Sequence, residues 1–194
     1  MNLVEKAKNI LLNPKQEWEV SKEEKTTFSS LLVGYVVPLS LIGAVAHFIG
    51  YGLIGLDFGL VKIKGIDFGI KMAISHIIGA IIGYVGTTYV VDLLAPSFES
   101  EKNLDKSARL VAYSQTASLI AAVFHIIPSL SVLGIVGLYG AYVAWLGISP
   151  MKNTPEAKKV GYVVAIILTS IVIGLVIGFI AEKIFSTSPS IPSY

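Results

Sequence analysis

Few side chains in this chain carry chemistry, and their grouping raises two possibilities. The first is a polar set: Thr87, Thr88, Tyr89 and Asp92 in one segment, and Arg109, Tyr113, Ser114, Gln115 and Thr116 in the next. A carboxylate amid hydroxyls and an amide can hold an ion or a polar headgroup, or it can pair with a guanidinium in an apolar setting. The second is the three histidines, His47, His76 and His125, which together could ligate zinc or respond to pH. No His-Glu-x-x-His pattern, nucleophile elbow, phosphate loop or dinucleotide fingerprint accompanies them, so no catalytic residue and no cofactor is expected. With no cysteine, thiolate catalysis and cysteine metal sites are excluded.

Whatever these residues do, they do it in an apolar setting. Hydrophobic residues make up 54% of the 194 and charged residues 14%, far below the roughly 25% charge of a soluble domain, so much of the surface must face lipid. The net charge of +2 leaves no nucleic-acid footprint. Long charge-poor runs define the elements. Residues 28–56, with Pro38 in the first half, form one tilted or kinked span, and residues 72–95, closed by Pro96, form another. Residues 110–149 lack formal charge for twice a bilayer crossing. With Pro128-Ser129 in the middle, they predict a hairpin of spans over 110–127 and 130–149. A fifth span covers 160–181. The fold class expected is therefore all-α, a polytopic bundle of five transmembrane helices over 28–185.

Ahead of it, residues 1–27 carry Leu3, Val4, Ala7, Ile10 and Leu11 at helical spacing, which predicts a short amphipathic helix on the inner leaflet, ended by Asn13-Pro14. Eleven Lys and Arg residues fall on the side of that segment and four on the other, which puts the N-terminus in the cytoplasm and the C-terminus outside. No cleavable signal peptide is expected. The near-duplicates Gly55–Gly59 and Gly65–Gly69 predict a hairpin or two turns, and the Ser- and Pro-rich residues 186–194 predict a disordered tail.

This threading puts the Asp92 and Tyr113 groups at one depth, with Arg109 near enough to pair with Asp92. Interhelical hydrogen bonding is the expected use, and a cavity is the alternative. The three histidines share a depth toward the other side, but nothing in the sequence makes them face one another, so unconnected interfacial histidines and no metal site are expected. Gly79-x-x-x-Gly83 and Gly174-x-x-x-Gly178 are close-packing patterns, expected inside one bundle or between copies.

Several segments together resemble the bacterial branch of the Yip family, the Ypt/Rab-interacting membrane proteins. They are Asn13-Pro14-Lys15-Gln16-Glu17-Trp18, the Pro38-bearing span, Asp92-Leu93-Leu94-Ala95-Pro96, and Leu110-Val111-Ala112-Tyr113-Ser114-Gln115-Thr116 running on to Ile127-Pro128. Leu138-Tyr139-Gly140 and the 147–155 loop extend the likeness, which covers about residues 9–180. The resemblance implies a five-span architecture in a bacterial cytoplasmic membrane. Eukaryotic relatives associate with Rab GTPases and with each other in trafficking. Only 27 residues precede Phe28 here, where those relatives carry a long cytoplasmic region, so Rab binding is not expected to carry over. The leading expectation is a non-enzymatic protein that associates with itself or with other membrane proteins in the bilayer. Behind it stand a small transporter, channel or lipid-translocating protein and, last, an intramembrane hydrolase.

Overall fold

The computed structural model describes residues 2–57 and 62–185. Helix α1 (Leu3–Leu12) starts where the Asn2 side chain accepts from the Glu5 N–H at 3.2 Å, and α2 (Pro14–Ser21) starts on a proline, whose missing N–H costs nothing at that position. A Thr27/Ser30 capping box opens α3 (Phe28–Ile54). Pro38 has no N–H to donate and its ring would press on the carbonyl four residues back. The helix meets this with a wider, i→i+5-bonded turn over Leu32–Val36 and continues through the proline. A second such turn, Phe48–Ile54, ends at Gly55, whose φ of +88° terminates the helix.

The two five-residue near-duplicates fold differently. Leu56–Asp57 (β1) pairs antiparallel with Lys62–Ile63 (β2), Leu56 opposite Ile63, whereas Gly65 caps α4 (Ile66–Leu94) and the rest of the second copy is helix. Residues 58–61, which include the end of the first copy, lie outside the described residues, as do 186–194, where a disordered tail is expected.

After a 3-10 turn at Ala95–Phe98 come α5 (Leu104–Ser114) and α6 (Thr116–Ala121), separated at Gln115. A 3-10 turn (Ala122–Ile126) follows. Ile127 is extended because a proline comes next, and a second 3-10 stretch (Pro128–Leu138) leads into α7 (Tyr139–Lys152). Asn153, in the left-handed region, caps α7, and α8 (Glu156–Phe185) is the last described element. Among the described residues, four helices are long and apolar enough to cross a membrane: Phe28–Ile54, Ile66–Phe98, Pro128–Lys152 and Glu156–Lys183. The region expected as the third span is broken at Gln115 instead of forming one regular helix.

Among the described residues the fold is all-helical apart from the two-residue ladder. α3 lies against α4, α4 against α8, and α5 against α7. The core is gathered at one end of the bundle, where Trp18, Tyr35, Tyr84, Tyr113 and Tyr162 are fully buried. Burying aromatics of this size is the strongest packing contribution available, and each polar tip is satisfied. Trp18 Nε1 donates to Val143 O at 2.9 Å, Tyr84 Oη to Phe28 O at 2.9 Å, and Tyr162 Oη to Val91 O. α8, in contrast, leaves Leu168, Val172, Leu175, Val176 and Phe179 more than half exposed.

Candidate functional site

Asp92, near the C-terminal end of α4, has 8% of its surface exposed. Its Oδ1 accepts from Ser107 Oγ at 3.0 Å and from Lys152 Nζ at 3.3 Å. Lys152 is wholly buried, and its remaining donors reach Ser107 Oγ at 2.6 Å and Asn103 O at 3.3 Å. Three helices are thus tied at one point: α4 through Asp92, α5 through Ser107 and α7 through Lys152. Burying both charges is tolerable because Lys152 Nζ finds three acceptors and Asp92 accepts from both Lys152 and Ser107.

The partner expected for Asp92 was Arg109, and this is corrected. Residues 107 and 109 stand roughly 200° apart around a helix of 3.6 residues per turn, so when Ser107 faces Asp92, Arg109 faces away. Its Nη1 donates to the carbonyls of Ser21 (2.8 Å), Lys22 (3.5 Å) and Glu24. These carbonyls lie at and just beyond the end of α2, where helical partners have run out and a cation suits the helix dipole. Lys152 was missed because it stood among loop cations. The available signal was its place as the first cation after the charge-free 110–149 run.

The other expected residues separate. Tyr113 Oη donates to Glu24 Oε2 at 2.6 Å, and its ring lies 5.9 Å from Trp18 and 5.1 Å from Tyr35. Lys6 bonds Glu17 and Glu24 and sits 5.1 Å over the Tyr113 ring. Arg109 and Tyr113 therefore hold the α1–α2 hairpin against the bundle, with Ile10 of α1 fully buried; the side of α1 expected to face lipid is partly turned to protein. Tyr89 is half-exposed beside Phe28. Thr88 and Ser114 have buried hydroxyls without hydrogen-bond partners. Ser114 and Gln115 border a separate cleft of about 300 Å³ between α5/α6, α7 and α8, which Asp92 does not line.

The histidines correct the reading in the opposite sense. Although they are spread over 79 residues of sequence, the ring of His47 stacks on His76 at 4.6 Å and on His125 at 4.2 Å. The reason is local. Gly43, one turn before His47, has no side chain where His76 sits; a Cβ there would lie 2.2 Å from His76 Nε2. His47 Nδ1 lies 2.7 Å from Gly43 O and His125 Nδ1 lies 3.2 Å from Ala122 O, while His76 Nε2 is buried without a partner. Among the described residues no group of three or more His, Asp or Glu is arranged to hold a metal ion.

The glycine patterns divide. Gly79 faces Ile177 of α8 inside the bundle, whereas a side chain at Gly83, Gly174 or Gly178 would meet nothing within 4 Å. Gly86, absent from the expected set, makes a tighter approach to α8, with Ile173 3.2 Å from its Cβ position.

No curated protein and no solved structure matches the chain. A family model, that of the Yip1 domain, matches residues 8–178. That span holds the Asp92–Ser107–Lys152 tie, the Trp18 and Arg109 contacts and all three histidines, so the chain belongs to the Yip1-domain family of membrane proteins.

Proposed function

We propose that this protein has no enzymatic activity and works by lateral helix association in the bilayer, with a second copy of itself or with other membrane proteins, in organising the membrane. The observation that carries the reading is the outer face of α8. It is apolar along its length, mostly unburied by the rest of the chain, and has Gly174 and Gly178 open on its surface. A small-xxx-small pair on a lipid-facing helix lets another backbone approach closely, which is how helices associate where lipid is as apolar as protein.

In this reading the chain crosses the membrane five times, the segment over 110–127, broken at Gln115, serving as the third pass, with the N-terminus in the cytoplasm of a bacterial host. The positive-inside bias of eleven cations to four supports that orientation. The competing reading, a carrier with a polar cavity around Asp92, is weaker because Asp92, Arg109 and Tyr113 are each bonded within the chain.

The absence of native cysteine gives the test a clean background. Gly174→Cys and Gly178→Cys in native membranes should crosslink, to a second copy or to a partner, while Gly79→Cys, covered by Ile177, should not. Monomer alone at all three positions overturns the proposal.

A further inference from the structure

The cleft between α5/α6, α7 and α8 belongs neither to the Asp92 tie nor to the open face of α8. We infer that it is a binding site for a neutral, single-chain membrane amphiphile with an ester or hydroxyl head, of the monoacylglycerol class, which enters sideways from the bilayer.

Four observations support this occupant. The first is position: two walls are α7 with the 3-10 stretch that leads into it, and α8, both within segments long and apolar enough to span a membrane, and the lining residues Leu138 and Ile171 are more than half exposed. The cleft therefore opens toward hydrocarbon, and lipid is what fills it. The second is charge: Asp, Glu, Lys, Arg and His are all absent from the lining, so an ionic headgroup would be left without a counter-charge at depth, whereas a neutral head would not. The third is size. About 300 Å³ is roughly ten water-sized groups, enough within the cleft for a small head and part of one chain.

The fourth is polarity at the floor. The helix breaks at Gln115, which lines the cleft. Among the described residues its carboxamide has no hydrogen-bond partner, and the Ser114 hydroxyl beside it is buried and unpartnered. Ser118 and Ser170, also in the lining, already donate to Gln115 O (2.9 Å) and Ile166 O (2.9 Å) in their own helices. An amide can both donate to an ester carbonyl and accept from a hydroxyl. The space exists because α7 presents Gly140, Ala141 and Ala144 on this side. Gly140 lies so close to α5 that a Cβ would stand 2.3 Å from Ser114 O.

The test uses the full chain in liposomes with two photoreactive probes, a monoacylglycerol and a head-less hydrocarbon of the same chain length. Monoacylglycerol adducts should map to residues 110–118, 137–144 and 166–171. Gln115→Leu should lower that labelling about fivefold, the value of one hydrogen bond, and leave the head-less probe unchanged. Ala141→Trp, or Ser170→Phe from the facing wall if the first variant fails to fold, should lower labelling by both probes. Labelling spread evenly along exposed α8 and indifferent to Gln115→Leu would mean annular lipid alone and overturn the inference. So would Ala141→Cys crosslinking between copies, which would make a second chain the occupant.

Discussion

Replacing Asp92 by Leu should unfold the protein at a markedly lower temperature, and replacing Lys152 by Met at the same time should restore most of the loss. In Asp92→Leu the Lys152 ammonium keeps Ser107 Oγ and Asn103 O as acceptors and loses its paired carboxylate, while remaining wholly buried. Breaking a buried pair from one side costs about 3–5 kcal/mol. The Asp92 side chain retains 12% accessibility, which admits some solvent screening and favours the lower end, about 3 kcal/mol. For a chain of this length that is roughly a 6–12 °C fall in Tm. Lys152→Met should cost a similar amount, because Asp92 then keeps Ser107 alone. In the double variant neither charge is stranded, and two apolar side chains of comparable volume should come within about 1 kcal/mol of the parent. The readout is thermal unfolding in detergent micelles followed by tryptophan fluorescence. Trp18 is buried at the same end of the bundle, so the signal reports the region perturbed. A single Asp92→Leu variant that melts like the parent, or a double variant as unstable as the sum of the singles, would refute the claim that these two charges hold each other.

Gly147→Ala should destabilise by about 2 kcal/mol, because the new Cβ would lie 2.4 Å from the Trp18 ring and displace it from Val143 O; Gly34→Ala, with open space around it, should leave Tm unchanged or raise it slightly. Gly43→Ala should drive His76 out of the histidine stack, and a double variant with His76→Ala should recover stability relative to Gly43→Ala in the same melting assay; an equally damaged double would show that the clash lies elsewhere. The Glu101 carboxyl is held below its ordinary range, first by the hydrogen bond from Lys106 at 2.7 Å. Its contribution is therefore present above the unfolded carboxylate value of about 4.3 and lost as pH falls through the lower folded value, and Lys106→Met should flatten that acid-side loss in a pH series of melts.

Hydropathy located the long helices because lipid requires unbroken apolar stretches, and those of 28–54 and 156–183 are the most apolar among the described residues. The break at Gln115 was not legible, since a polar residue in an apolar run reads equally as a helix-helix hydrogen bonder. The polar set was visible as residue types at one depth, yet its pairing was not: depth is a coordinate along the helix, and whether Asp92 meets Arg109 or Lys152 depends on rotation about it. The histidine stack was hidden for a different reason. It depends on Gly43, one of several glycines in that span, and only the packed bundle shows which of them has a side chain lying against it.

The contacts of Trp18 and Arg109 also carry a timetable. Val143, which accepts the Trp18 hydrogen bond, is 125 residues further along the chain, and at synthesis rates of about 5–20 residues per second it emerges roughly 6–25 s later. During that interval α5 can already hold the first two helices through Arg109 and Tyr113, but the α7 carbonyl that receives Trp18 is still missing. Seating of Trp18 therefore requires that α7 has been made and packed, and a chain in which α7 fails to pack leaves the indole N–H without its acceptor.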